Sequence, residues 1–278
     1  MVGRKARAAL QTEEAGGVSL RVSAHVITDS DRYEAQNLSR RGNAMKASLK
    51  GFATLAVIAV LALPATAQKK ERNRVENAGT VMKEIMDIPD NIPQSLIDKA
   101  DCVVVLPSVL KFAFIFGGSY GRGVMTCRSG ENFQGPWGAP SMMALEGGSF
   151  GLQLGGQATD FVLLLMSGRS ASSILSSKVK LGADASAAAG PVGRTTAAET
   201  DVAFRAEILT YSRARGLFAG ISLAGSTLRP DKNANKALYS KEIDAKDIVL
   251  KGAVPVPASA TLLVSTLNQR SPKNLSGR

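Results

Sequence analysis

The chain has 278 residues, with 34 Lys and Arg against 23 Asp and Glu, a formal charge of +11. An apolar content of 45% with 21% charged residues suits a buried core and excludes a disordered polyelectrolyte, while 27 glycines without a Gly-X-Y period exclude collagen and argue against an all-helical bundle. One histidine, His25, and two cysteines, Cys102 and Cys127, argue against a Ser-His-Asp hydrolase, a Cys-His enzyme and a zinc site, so no metal or cofactor is expected.

From Met45 the sequence reads MKASLKGFATLAVIAVLALPATAQ, with Lys46 and Lys50 ahead of an uncharged apolar run to Leu63 and an A-x-A site at Ala65 to Ala67. This is the pattern of a secretory signal peptide cleaved after Ala67. A transmembrane anchor is the alternative, but a span needs about 20 apolar residues and this run is shorter. Residues 1–44 then form a non-native extension, 45–67 the signal, 68–269 one domain and 270–278 a flexible tail. The expected localisation is exported, periplasmic or extracellular. Removing residues 1–67 leaves 25 basic and 18 acidic side chains, a charge of +7. Anionic lipid suits that charge; with aromatics at only 5%, nucleic acid is not an expected partner.

Along the mature chain, Val75, Ala78, Met82 and Ile85 form an apolar stripe at helical spacing over residues 71–86. That face either packs on the domain's own core or contacts a membrane. Pro93 can begin a short helix through Ile97. Cys102 to Leu106 reads as a buried strand ended by Pro107, and Phe112 to Phe116 begins another ahead of Gly117 and Gly118. A hairpin there brings Cys102 and Cys127 together, leaving either a disulfide or two buried free thiols.

Phe150 to Leu154, Val179 to Ala187 and Leu217 to Leu223 alternate, and Phe161 to Met166 is continuously apolar. Helical pieces are expected at Ser170 to Ser177, from Asp231 toward Tyr239, at Asp244 to Lys251 and at Ala258 to Leu267. The fold class is α+β: an antiparallel β core, barrel-like or a sandwich, with flanking helices.

Ser108-Val-Leu-Lys111 matches S-x-x-K, the nucleophile spacing of penicillin-binding enzymes, but it follows a strand and lacks the downstream motifs. Asp160, Asp184 and Asp201 could serve as acid and base only if paired in space; capping turns and helices is their ordinary role. No enzyme activity is expected.

Four Gly-punctuated blocks stand out: VVVLPSVLKFAFIFGGSYGRGVM at 103–125, GSFGLQLGGQATDFVLLLMS at 148–167, LGADASAAAGPVGR at 181–194 and YSRARGLFAGISLAG at 211–225, followed by NANKALY at 233–239. In this order they resemble the SYLF domain family over roughly residues 75–265. The resemblance implies binding of anionic phospholipid, with phosphoinositide-like head groups, and an N-terminal amphipathic helix at the membrane, which matches Val75, Ala78, Met82 and Ile85. Eukaryotic members usually add an SH3 or FYVE module and act at actin patches; the chain shows neither module, so actin is not an expected partner.

Basic residues near glycine-bent backbone can hold phosphate by charge-assisted hydrogen bonds. On this ground Arg122, Lys178, Lys180, Arg194, Arg213 and Arg215 are the candidate head-group contacts. The alternatives are a non-catalytic scaffold of the cell envelope, a hydrolase of envelope components and an outer-membrane barrel, the last disfavoured by the intervening helices.

Overall fold

The computed structural model describes residues 66–89, 91–113, 116–150, 157–193, 206–214 and 217–277, all within the compact unit Pro64–Arg278. The expected signal peptide and extension, apart from Thr66 and Ala67, lie outside the described residues, as do Arg194, Asp201 and Arg215. No helix among the described residues is long and apolar enough to cross a membrane.

Helix α1 spans 66–86 and is followed by α2 (Gln94–Lys99). Then come β1 (Cys102–Ala113), β2 (Phe116–Cys127), β3 (Ser141–Phe150) and β4 (Gln157–Leu165). Helix α3 (Gly168–Ser176) leads to β5 (Val179–Lys180), β6 (Ala187–Ala189), β7 (Ile208–Ala214), β8 (Leu217–Gly220) and β9 (Ser226–Pro230). The described chain closes with α4 (Lys232–Tyr239), α5 (Ala245–Val249) and α6 (Thr261–Arg270).

The nine strands make one curled sheet in the order β5-β9-β3-β2-β1-β4-β7-β6, with β8 also on β7. Among the described residues these strands pair antiparallel except for β6 with β7. The α+β class and half-barrel core match the expectation.

Both faces of the central strands are buried, which is why they read as unbroken apolar runs. Val103, Val105, Val124, Val162, Leu164 and Tyr211 pack with α1, α2, α4 and α6 on one face. Val104, Leu106, Met125, Phe161 and Leu163 pack with α3 and α5 on the other. Val75, Ala78, Met82 and Ile85 are all fully buried in the first of these cores. The α1 stripe is therefore a packing face in this conformation, which corrects its assignment to membrane contact.

Two further expectations change. Pro107 does not end β1: the register skips from Val105 to Leu110 against β2 and from Leu106 to Val109 against β4, so Pro107 and Ser108 form a bulge without a ladder partner on either side. A missing N–H costs no ladder bond there. Gly117 and Gly118 do not make the turn: they lie inside β2, paired with Ala113 and Phe112 of β1. Cys102 and Cys127 are direct register partners, and their sulfurs are bonded as a disulfide.

Residues 271–277 are not a frayed tail. Ser271 and Asn274 are buried, Asn274 Nδ2 donates to Asp101 Oδ1 at 3.0 Å, and Leu275 N donates to Asp98 O at 2.8 Å.

Candidate functional site

Strand register sets the arrangement of the charged groups. Arg122 on β2 is opposite Ala144 on β3, and Ala144 is opposite Arg229 on β9. Val179 on β5 pairs with Leu228 and both enter the α3-side core, so Lys180, opposite Thr227, projects from the other face, while Lys178 immediately precedes β5 and lines the same edge cleft as Arg229. Neighbouring strands lie about 4.8 Å apart. Arg122 and Arg229 therefore lie in one cationic row across β2, β3 and β9, which Lys180 on β5 and Lys178 just before it carry on to the edge of the sheet.

Part of this charge is compensated. Arg122 Nε lies 3.3 Å from Asp231 Oδ2 and donates to the Tyr120 hydroxyl at 2.5 Å. Burial pulls the Arg122 pKa down, but the Tyr120 hydrogen bond and the charge of Asp231 leave it raised. Arg229 donates to Glu146 Oε1 from Nη2 at 2.5 Å and from Nε at 3.1 Å. That hydrogen bond holds the Glu146 carboxyl below its ordinary value against the opposing effect of burial. Asp231 also caps α4, its Oδ1 accepting from Ala234 N at 3.1 Å. Lys178 and Lys180 are exposed and, among the described residues, meet no carboxylate at ion-pair distance.

At this edge a cleft of about 750 Å³ opens between the end of α3, the β9–α4 junction and α5. Lys178 and Arg229 line it, joined by Lys232, Lys246 and Lys251. These last three and Arg229 were not picked out in the sequence, where they carry no glycine-flanked signature and are brought together only by the packing of α4 and α5.

The other candidates separate. Arg213 is on β7, with β1 and β4 between it and the strand of Arg122, and its guanidinium is committed to Asp160 and Glu84. Asp160 thus holds an ion pair and also accepts from Ser108 N at 2.8 Å. Asp184 caps a turn, accepting from Lys180 N at 2.7 Å. Ser108 and Lys111 lie along a strand and not a helical turn apart, which removes the S-x-x-K geometry.

A family model described as "Ysc84: Las17-binding protein actin regulator" matches residues 146–270, a stretch holding every lysine and arginine of the cleft. The chain is 35% identical over 208 residues to an SH3 domain-containing protein of Schizosaccharomyces pombe, covering 72% of this chain and 47% of that protein. It is 34% identical over 209 residues to SH3 domain-containing YSC84-like protein 1 of Rattus norvegicus, covering 73% and 60%. Against Protein YSC84 of Saccharomyces cerevisiae it is 34% identical over 183 residues, covering 65% and 38%. The chain thus spans between about a third and three-fifths of the length of these relatives.

Proposed function

Because the chain belongs to the Ysc84 (SYLF) domain family, we propose that it is a non-enzymatic, exported protein that docks peripherally on anionic phospholipid through the cationic edge of its sheet. The observation that carries this is the convergence of Lys178, Lys180, Arg229, Lys232 and Lys246 from separate elements on one edge. Each basic side chain near an anionic surface gains about 1 kcal/mol, over a range of about a Debye length. The signal-like run from Met45 to Ala67 supports export.

An apolar contribution, assigned from the sequence to the α1 stripe, falls instead to Leu110 and Tyr120. These are register partners on β1 and β2, 56% and 40% exposed, on the same face as Arg122. Two side chains offer little area to insert, so the electrostatic contribution dominates. Binding is then reversed by salt.

The description of the matching family as Las17-binding supports a second reading, docking on a protein partner. Co-sedimentation with phosphatidylserine vesicles over a salt series tests the choice. Retention at low ionic strength that is released as salt rises is expected. Absence from the vesicle pellet even in dilute buffer overturns lipid docking and leaves the protein-partner role.

A further inference from the structure

The cleft at the sheet edge has an imbalance of charge that points to one class of ligand. Lys178, Arg229, Lys232, Lys246 and Lys251 face Asp231, Asp244 and Asp247 across it, two positive charges in excess. Lys251 is paired with Asp247 at 2.7 Å, and Lys232 lies 3.9 Å from Asp244. Arg229 and Asp231 have partners outside the cleft lining, Glu146 and Arg122. The excess therefore belongs to Lys178 and Lys246, neither of which meets a carboxylate at ion-pair distance among the described residues. They come from separate elements of the cleft lining, Lys178 from the segment between α3 and β5 and Lys246 from α5.

We propose that this cleft binds a phosphomonoester group, held between Lys178 and Lys246 with Arg229 beside it. A phosphomonoester carries about −1.5 to −2 charges at pH 7, matching the two-charge excess of the lining, whereas a phosphodiester carries one. Lysine serves phosphate as a mobile point charge and arginine as a planar fork. A volume of about 750 Å³ admits a group of glycerol phosphate size together with its water. The proposal deepens the phospholipid reading by naming the head-group class, and it applies equally to a soluble phosphomonoester.

The test compares vesicles of phosphatidic acid with vesicles of phosphatidylglycerol at matched surface potential, alongside calorimetric titration of the chain with glycerol 3-phosphate. Lys178→Gln with Lys246→Gln is the cleft variant. Lys241→Gln with Lys273→Gln, both exposed and away from the cleft lining, is the charge-matched control. The unaltered chain and the control are expected to favour phosphatidic acid by about tenfold, a preference the cleft variant loses.

Equal binding to both lipids, unchanged in the cleft variant, overturns the site while lipid docking stands. Glycerol 3-phosphate binding that the cleft variant abolishes, with no vesicle binding at all, upholds the site with a soluble ligand and overturns lipid docking. Binding to neither vesicles nor glycerol 3-phosphate overturns both.

Discussion

Arg213 and Asp160 stand opposite each other across β7 and β4, with Nη2 and Nε of the guanidinium both donating to Asp160 Oδ2, at 2.8 and 3.1 Å. Nη1 donates to Glu84 Oε2 on α1 at 2.6 Å. One arginine thus fastens the helix that covers the sheet to two of its strands. Burial works against its charge, but Asp160 and Glu84 more than offset it and leave the pKa raised.

Arg213→Ala is accordingly expected to act on stability and not on docking. It leaves Asp160 half-buried without its main partner, and hydrogen bonds to charged groups contribute about 1.5–3 kcal/mol. Urea denaturation should show a loss of that order, while the salt concentration that releases folded protein from anionic vesicles stays where it is. A shifted release point with unaltered stability would return Arg213 to the docking surface.

Helix boundaries are legible in the sequence because capping is local. Asp231 stands before α4 and its side chain accepts from Ala234 N, and Ser167 does the same for α3 from Ser170 N at 3.3 Å. Strand β3 is opaque for the opposite reason. Met142 and Met143 enter different cores, so the segment has no alternation to read. Glycine-flanked arginines mark the neighbourhood of the site through Arg122 but also select Arg213, because a single sequence does not show which carboxylate lies across the next strand. Lys232 and Lys246 are invisible for a related reason: their meeting with Lys178 depends on how α4 and α5 pack, which is a long-range property.

The glycines of the GRG block do steric work beside the β1 bulge. A Cβ on Gly123 would lie 2.0 Å from Val105 O and 2.7 Å from Leu106 Cα, both backbone atoms that cannot turn aside. On Gly121 it would meet Val109 Cγ2 at 2.4 Å, with Val109 Cβ at 3.0 Å and Cγ1 at 3.1 Å, a clash with one side chain that can shift and not with backbone. Overpacking typically costs about 1–3 kcal/mol. Gly123→Ala is expected at or beyond the upper end of that range and Gly121→Ala near the lower end. Thermal melts of the two variants compare them directly; equal losses would mean that the bulge relaxes as readily as the valine side chain.

One residue beyond the end of β2, Arg128 is a buried cation that residues 271–277 help to hold. Its Nη2 donates to Ser271 Oγ at 2.5 Å, its Nε to Ala100 O at 3.2 Å, and the guanidinium lies 4.4 Å from the centre of the Trp137 ring. Burial lowers its pKa, opposed by the charges of Asp98 and Asp101. Trp137 Nε1 in turn donates to Ser271 O at 3.0 Å. Deleting residues 271–278 strips one partner from the guanidinium and another from the indole while both remain inside the protein. Breaking such a buried arrangement costs about 3–5 kcal/mol, against about 1–2 kcal/mol for Ser271→Ala, which removes a single hydroxyl. Urea denaturation of the truncated chain and the point variant should show this difference. Arg128→Met is the control for the cause: it keeps apolar volume over Trp137 with no charge to leave stranded, so removing residues 271–278 from that variant should cost less than removing them from the arginine form. Equal costs in the two backgrounds would mean that residues 271–278 stabilise the domain through Asn274 and Leu275 and not through the cation.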